Sequence, residues 1–258
     1  MNAQPNGQTV FKRSCYQEMM FENLKGLVLR YTNYRDNDRI LQVLTREKGL
    51  ISLTARGCRS SKSRLSAACE SCVYGEFVIY GRGKIKYVSS AEVLEAFYPI
   101  REDYEKLLSA MQIMHTAEIS AYSAAGTAEL FALCYHSLSF IAYGETVPKD
   151  IEICFTAKLL QASGYTPVLT KCVRCGKSLI RQHEVYFSRS QGGAMCDYCG
   201  SGCMKVSALA LEALRRMLLL PLNDMGRVRL PENARKELDE LIYSYAEYVF
   251  EQMIRLRV

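Results

Sequence analysis

Short apolar stretches separated by polar turns occupy residues 24–97 of this chain. In one of these stretches Val73, Gly75, Phe77 and Ile79 alternate onto one face, as they would in a strand. Five strands are predicted, over residues 24–31, 38–45, 49–55, 72–80 and 85–97. Five strands with no helical pattern between them indicate a small closed antiparallel barrel of the OB type, with a five-stranded SH3-like barrel as the alternative.

Beyond Pro99 the spacing of apolar residues becomes helical, beginning with Leu107, Met111 and Met114 at i, i+4 and i+7. Further helices are predicted over residues 130–141, 148–162, 207–220 and 231–255. The fold class is therefore α+β, with an N-terminal five-stranded OB-type barrel at residues 24–98 and an all-helical domain at residues 99–258. A flexible extension is expected at residues 1–23, because they mix polar, glycine and proline residues without a period.

An insertion at about residues 170–204 interrupts the helical pattern and contains two pairs of cysteines. Cys172 and Cys175 are separated by two residues, as are Cys196 and Cys199, and 20 residues lie between the pairs. Such spacing lets each tight turn supply two thiolates to a tetrahedral ion, while a hairpin brings the turns together. We predict one structural Zn²⁺ ion with four thiolate ligands, which leave no coordination position for a substrate. Cys203 is the alternative ligand.

The remaining cysteines are expected to be small apolar side chains or free thiols. Cys69 and Cys72 are also two residues apart, but no second pair lies near them and they precede or begin a strand. A metal site is therefore not expected there, and a redox-active dithiol is kept only as an alternative function.

Positive charge is concentrated in the predicted barrel. The formal net charge of the chain is +6, and residues 1–98 carry 15 Lys and Arg against 9 Asp and Glu, whereas residues 99–258 carry 18 of each class. This asymmetry favours a polyanionic partner for the N-terminal part.

Residues 56–64, which link the third and fourth strands, contain four cations, three serines and no acidic residue. Further cations surround the first hairpin and the turn into the fifth strand, so a groove for a phosphate backbone is predicted. Strand alternation should turn Lys84 and Lys86 outward, and Ile85 and Tyr87 inward. The predicted DNA-binding residues are Arg30, Arg35, Arg39, Arg56, Arg59, Lys62, Arg64, Arg82, Lys84 and Lys86.

Aromatic side chains near these cations are candidates for stacking on bases, although core or rim packing is the alternative for each of them. The candidates are Tyr31, Tyr34, Tyr74 and Tyr80. The pattern includes no helix for reading base edges, so binding independent of nucleotide sequence is expected.

Several classes of protein are not indicated by the sequence. We find no phosphate-binding P-loop, nucleophile elbow, zinc-protease motif or dinucleotide fingerprint, and the acidic residues form no convincing catalytic pair, so no enzyme activity is predicted. His115, His136 and His183 are far apart in sequence and are expected to be structural or surface residues. No stretch is long and apolar enough to span a membrane or act as a secretion signal, so a cytoplasmic, nucleoid-associated protein is expected.

A series of short motifs, in order, resembles the bacterial recombination mediator family RecO. The motifs are Gly26-Leu27-Val28-Leu29, Asp38-Arg39-Ile40-Leu41, Thr45-Arg46-Glu47-Lys48-Gly49, Ala55-Arg56-Gly57-Cys58-Arg59, Ser63-Arg64-Leu65, Gly81-Arg82-Gly83, and Gly164-Tyr165-Thr166-Pro167-Val168-Leu169 leading into Cys172-Val173-Arg174-Cys175-Gly176. The resemblance extends over roughly residues 22–256. It implies an OB domain, a helical domain and a zinc module.

The resemblance also implies a function. Proteins of this family bind single- and double-stranded DNA, anneal complementary strands, and join the partner protein RecR. They help the recombinase RecA to displace the single-strand-binding protein SSB, whose C-terminal tail they engage. We assign no residues to a pocket for that tail. The alternatives are an OB plus zinc-ribbon protein that binds structured RNA, and a redox enzyme acting through Cys69 and Cys72.

Overall fold

The N-terminal domain of the computed structural model is a closed five-stranded barrel. The structure describes residues 21–83, 85–122, 126–180, 182 and 184–256. The barrel strands are β1 (Phe21–Tyr34), β2 (Asp38–Thr45), β3 (Gly49–Ala55), β4 (Val73–Tyr80) and β5 (Lys86–Glu95). Their order around the barrel is β1-β2-β3-β5-β4, and β4 pairs again with β1.

This topology confirms the predicted OB-type fold class and corrects one detail of it. β3 and β5 pair in parallel, with Leu53 opposite Lys86 and Thr54 opposite Tyr87, whereas a wholly antiparallel barrel was predicted. A parallel pair requires a long connection. That connection comprises residues 56–72, β4 and the turn into β5, and it carries the chain across the barrel between the two strands.

The strand boundaries differ from the predicted ones mainly at the ends. β1 begins at Phe21, and Phe21 pairs with Tyr80, so the barrel includes three residues that were assigned to the extension. The interior is filled by alternating apolar side chains, all of them almost fully buried. They include Leu24, Val28, Leu41, Val43, Leu53, Phe77, Ile79 and Val88.

The part of the chain after the barrel contains six α-helices in the described segments. They are α1 (Pro99–Glu102), α2 (Tyr104–Ser120), α3 (Thr127–Tyr143), α4 (Pro148–Ala162), α5 (Ala208–Leu219) and α6 (Glu232–Phe250). The Asp103 side chain caps α2 by accepting a hydrogen bond from the Lys106 amide, and Ser207 caps α5 through the amide of Ala210.

Two helical predictions need correction. α6 ends at Phe250 and not at Arg255, because Glu251 adopts a left-handed conformation with φ of 52°. The chain then turns back onto α2, where the Gln112 side chain donates to the carbonyl of Ile254 and accepts from the amide of Leu256. In α2 itself, Met111 is 44% exposed, whereas Met114 is buried with Ala110, Ile113 and Ala117, and Leu107 packs against the same cluster.

The inserted segment forms a small sheet of β6 (Glu184–Ser188), β7 (Gly193–Met195) and β8 (Met204–Ser207), in the order β7-β6-β8. β6 and β7 are the predicted hairpin between the cysteine pairs. Phe187 of β6 packs edge-on against Tyr245 of α6, with ring centroids 5.4 Å apart. The insertion therefore shares its apolar core with the helices and is not a separate globule.

The barrel is packed against the helices through its outer surface. Leu27, Leu29 and Leu44 belong to the same buried cluster as residues of α2, α3 and α4. Tyr74 points outward from β4, where its ring contacts Phe131 at 5.7 Å. Part of the outer surface of the barrel is thus covered by helices, whereas the β1–β2 hairpin and the segment at residues 56–64 are largely exposed. In the described residues, no helix combines the length and hydropathy that a membrane crossing would need.

Candidate nucleic-acid interface and metal site

Two tight turns bring the four predicted cysteine ligands together. In the first turn the amide of Gly176 donates to the carbonyl of Cys172 at 2.9 Å, and in the second the amide of Gly200 donates to Cys196 at 2.8 Å. Gly176 has a φ of +76°, which a residue with a side chain would adopt only with strain. At Gly200 a Cβ atom would instead overlap Tyr186 of β6. Both turns thus depend on glycine, but for different reasons.

The geometry of the cluster fits a tetrahedral ion. The Sγ atoms of Cys172, Cys175, Cys196 and Cys199 all lie within 4.8 Å of one another, and those of Cys175 and Cys196 are 3.7 Å apart. Ideal Zn–S bonds would place the sulfur atoms about 3.8 Å apart. These four residues could therefore hold a metal ion, and with four thiolates around it no position would remain for a reacting group.

The pKa values of two of these thiols are shifted in opposite directions. Burial alone would raise the pKa of the Cys172 thiol, but backbone amides of Cys175 and Cys196 donate toward its sulfur, and its pKa is lowered overall. The pKa of Cys199 is raised, first by burial and then by the neighbouring sulfur atoms. A bound cation is what would allow all four groups to ionise together.

Cys203 lies outside this cluster. Its sulfur is 3.8 Å from the sulfur of Met195, and it is not among the four residues whose ligand atoms converge. The structure thus groups Cys199, and not Cys203, with the other three cysteines.

Cys69 and Cys72 lie in different surroundings and do not form a paired redox motif. Cys69 is in the barrel interior, beside Cys58, while Cys72 belongs to the cluster between the barrel and the helices. Burial raises the pKa of both thiols to about 12. Thiols that remain protonated at neutral pH are poor nucleophiles, which argues against dithiol chemistry at this pair.

The basic loop, residues 56–64, is attached to the first hairpin of the barrel. The amide of Arg59 donates to the carbonyl of Asn37 at 3.0 Å, and its guanidinium donates to the carbonyl of Asp36 at 3.0 Å. The amide of Gly57 also donates to the carboxylate of Asp38 at 2.8 Å. These bonds hold the loop and the β1–β2 hairpin side by side, so their cations lie at one end of the barrel.

The cations of this loop face solvent and are electrostatically uncompensated. Arg56, Arg59, Lys62 and Arg64 are all exposed. Within the part of the chain that the structure describes, none of the four forms an ion pair with a carboxylate. Such groups can contact the phosphates of a nucleic acid, and release the counterions condensed on it, without first breaking an internal ion pair.

Arg30 and Arg39, by contrast, are engaged in ion pairs inside the molecule. Arg30 donates to both carboxylate oxygens of Glu118 in α2, at 2.7 and 2.9 Å. Arg39 has a side chain that is only 13% exposed, and it donates to Glu70 at 2.6 Å. Its guanidinium lies 3.7 Å from the ring centroid of Tyr31, so both Arg39 and Tyr31 are committed to packing. Sequence pattern alone did not reveal either carboxylate partner.

The turn into β5 differs from the predicted arrangement. Val88 is buried in the barrel, and Lys86 has the same strand parity, so Lys86 points toward the barrel end, where its ammonium donates to the carbonyl of Gly81. Ile85 is 59% exposed and Tyr87 lies on the outer face. The predicted inward and outward assignments of Ile85, Lys86 and Tyr87 were therefore wrong. Arg82 is exposed beside them, and Lys84 lies outside the described residues.

Two of the four tyrosines proposed for base stacking are occupied by protein contacts. Tyr74 packs against Phe131 and Tyr135, with its centroid 5.3 Å from the latter, and Tyr31 lies under Arg39. Tyr34 is exposed beside Arg35 on the hairpin, where the guanidinium lies 5.2 Å from the ring centroid. Tyr80 remains on the uncovered end of the barrel, next to Tyr87, which sequence analysis assigned to the core.

Comparison with known proteins gives a consistent result over nearly the whole described chain. Residues 19–97 match the family model described as Recombination protein O N terminal, and residues 101–256 match Recombination protein O C terminal. Among curated proteins, the DNA repair protein RecO of Desulforamulus reducens is 31% identical over 240 residues, covering 92% of this chain and 93% of that protein.

Other relatives carry the same description. The DNA repair protein RecO of Acetivibrio thermocellus is 30% identical and is matched over 91% of its length by 88% of this chain. That of Bacillus pumilus is 29% identical, with 87% of this chain and 88% of the relative covered. Because both family models match in order and the relatives are covered almost entirely, the chain belongs to the RecO family of DNA repair proteins.

Proposed function

We propose that this protein is a recombination mediator that binds single- and double-stranded DNA, anneals complementary strands and helps to load RecA onto SSB-coated DNA at the nucleoid. The observation that carries the proposal is the basic loop. It presents Arg56, Arg59, Lys62 and Arg64 to solvent without internal carboxylate partners. Membership of the RecO family supports the assignment to DNA repair.

Electrostatics supplies a mechanism for annealing. Two complementary strands repel each other through their phosphates, and the repulsion falls when fixed cations replace diffuse counterions. The basic loop is held against the β1–β2 hairpin through Arg59, so its cations form one surface and not a freely moving chain. A strand bound along that surface through its phosphates would keep its base edges available for pairing, because phosphate contacts do not occupy them.

The cysteine cluster is given a structural role in this proposal. We infer that the ion is Zn²⁺, because four thiolates in tetrahedral geometry are a donor set that zinc prefers. Zinc would fix the two turns on the hairpin of β6 and β7, whose apolar side chains belong to the core shared with the helices. The same ion has no part in DNA chemistry, and no catalytic step is proposed.

The proposed partners follow from the family. RecR and the C-terminal tail of SSB are expected to bind outside the basic loop, so that DNA and proteins can be held at the same time. The described residues identify no pocket for the tail, and we assign none.

The function is tested by annealing two complementary oligonucleotides coated with SSB, with and without the zinc-loaded protein. Acceleration that fades as salt is raised would support the proposal. The variant with Arg56, Arg59, Lys62 and Arg64 changed to Ala should lose most of the acceleration. A matched control variant removes four exposed cations from the helical half and the cysteine insertion, and should retain it. The control residues are Lys205, Arg216, Arg227 and Lys236.

Absence of annealing by the folded protein would contradict the proposal. Preference for structured RNA over single-stranded DNA would instead support the alternative of an RNA-binding protein.

A further inference from the structure

A row of aromatic side chains crosses the outer surface of the barrel at the end that the helices leave uncovered. Phe21 on β1 is paired with Tyr80 on β4, and Tyr80 is paired with Tyr87 on β5. The ring centroids of Phe21 and Tyr80 are 5.9 Å apart, and those of Tyr80 and Tyr87 are 5.5 Å apart. We call these three residues the aromatic row.

Arg56 of the basic loop contacts one end of the aromatic row. The guanidinium carbon of Arg56 lies 4.1 Å from the ring centroid of Tyr87, which is close enough for a favourable cation–π contact. Arg56 is itself exposed, as are Arg82 in the adjacent turn and Ile85 beside it. The aromatic row is therefore continuous with the positively charged end of the barrel.

At the opposite end of β4, an aromatic side chain on the same outer surface is covered by a helix. Tyr74, six residues before Tyr80 on β4, points to the same outer side and packs against Phe131 and Tyr135. At the aromatic row no helix of the described chain supplies such a cover, and Phe21 is 59% exposed. Packing against α3 accounts for an aromatic residue at the outward-facing position of Tyr74, but no such packing accounts for one at Phe21.

The chemistry of the surroundings selects an occupant. Aromatic faces next to cations bind unpaired bases, because each base has a π-face and each is joined to a phosphate. Bases inside a duplex are already stacked on one another and offer only their edges. We propose that Phe21 and Tyr80 stack with the bases of a single strand whose phosphates contact the basic loop, while Tyr87, whose ring lies under Arg56, packs beside Tyr80. This inference rests on the proposed DNA-binding function and specifies which form of DNA the site distinguishes.

Phosphate contacts and base stacking should contribute separately to binding. Contacts of the basic loop with phosphates should weaken steeply with salt for single strands and for duplexes alike. Stacking on the aromatic row should persist at high salt, and only for single strands, since it involves no counterion release. The row would thus hold a single strand with part of its bases ordered while the cations screen its repulsion from a second strand.

The test compares Phe21→Leu, Tyr80→Leu and their double variant with the parent protein. Leucine keeps an apolar side chain in the strand but removes the π-face. Affinity for a fluorescent single strand and for the corresponding duplex is measured by anisotropy at low and high salt. We expect each variant to bind the single strand about tenfold more weakly at both salt concentrations, with duplex affinity unchanged. Tyr104→Leu, which alters a tyrosine that is 69% exposed on α2, is the matched control.

Photocrosslinking provides a readout that does not depend on the variants. A single strand containing 5-iodouracil is irradiated in complex with the parent protein, and the modified peptides are identified by mass spectrometry. Adducts on Phe21 or Tyr80 are expected. Adducts only on other aromatic residues, or equal loss of single-strand and duplex binding in the leucine variants, would overturn the inference.

The outcomes for the two proposals are distinguishable. If the leucine variants bind as the parent does while the four-cation variant loses affinity, the DNA-binding function stands and base stacking on the aromatic row is refuted. If the parent protein binds neither form of DNA, both proposals fail.

Discussion

The guanidinium of Arg30 on β1 forms a two-pronged contact with the carboxylate of Glu118 on α2, with donor–acceptor distances of 2.7 and 2.9 Å. This contact joins the barrel to the helices across 88 residues of sequence. The side chain of Glu118 is 16% exposed and that of Arg30 is 52% exposed, so the pair is partly screened by solvent. Its position assigns Arg30 to the junction of the two halves, and its charge is compensated there.

Replacing Arg30 by Ala should therefore reduce stability more than DNA binding. We expect the free energy of unfolding to fall by about 1 kcal/mol, a value discounted for the exposure of the arginine. The salt dependence of DNA binding should change little, in contrast to the loop variants. Urea unfolding and binding titrations check both parts, with Arg30→Lys as the variant that keeps the charge. If Arg30→Ala markedly reduced the dependence of DNA affinity on salt concentration, Arg30 would have to contact DNA.

The basic loop should determine the salt dependence of binding. With about five phosphate contacts, the slope of log affinity against log salt for a single strand is expected near −3.5. Changing Arg56, Arg59, Lys62 and Arg64 to Ala should flatten it, because fewer counterions are then released. Titrations at several salt concentrations measure the slope. A slope near zero for the parent protein would contradict the electrostatic mechanism.

A buried carboxylate on α4 fixes the start of α6. Asp150 is fully buried, accepts a hydrogen bond from Arg235 at 2.6 Å, and accepts another from the amide of Leu230 at 3.0 Å. Asp150→Ala should lower the free energy of unfolding by about 3 kcal/mol, because it leaves a partly buried guanidinium and a buried amide without their acceptor. Chemical denaturation measures the loss. Lys236→Ala, which removes an exposed partner of Glu232 on the same helix, serves as the comparison and should change stability little.

Metal removal should act on the cysteine insertion before it acts on the barrel. We expect about one Zn²⁺ per chain, released by a chelator with loss of the near-ultraviolet signal of the tyrosines packed around β6. Cys172→Ser should bind metal poorly and melt earlier, whereas Cys203→Ser should retain the ion, since Cys203 lies outside the cluster. Elemental analysis of both variants decides the matter. Full metal content in Cys172→Ser would refute the four-cysteine site.

His115 should make stability depend on pH. Burial lowers its pKa, while Glu118 opposes the shift and Arg30 adds to it. Since the folded chain binds this proton less readily than the unfolded chain, stability should rise as the pH is increased through the unfolded value of about 6.5. His115→Gln should remove this component of the slope. Unfolding curves at a series of pH values between about 5 and 8 measure it, and an unchanged slope would exclude His115 as the source.

Much of the barrel could be predicted from local pattern, because each strand alternates with period two and is bounded by polar turns. The buried positions of β4, including Val73, Phe77 and Ile79, follow directly from that alternation. The cysteine cluster could be predicted equally well, since its geometry is fixed by short spacings within two turns and by one hairpin. Cys172 and Cys196 come together because the hairpin between the two cysteine pairs is short and local in sequence.

The sequence did not determine what packs against the outward-facing residues. Strand alternation predicts the face of the sheet on which a side chain lies, but not which other residues contact that face. Tyr74 and Tyr80 share the outer side of β4, yet one is covered by α3 and the other belongs to the aromatic row. Arg30 and Arg56 look alike as cations on a basic domain, but only Arg30 meets a carboxylate from a helix 88 residues away. Strand parity and turn chemistry are local properties that a sequence carries by itself, whereas coverage and charge compensation depend on which distant surfaces the tertiary structure brings into contact.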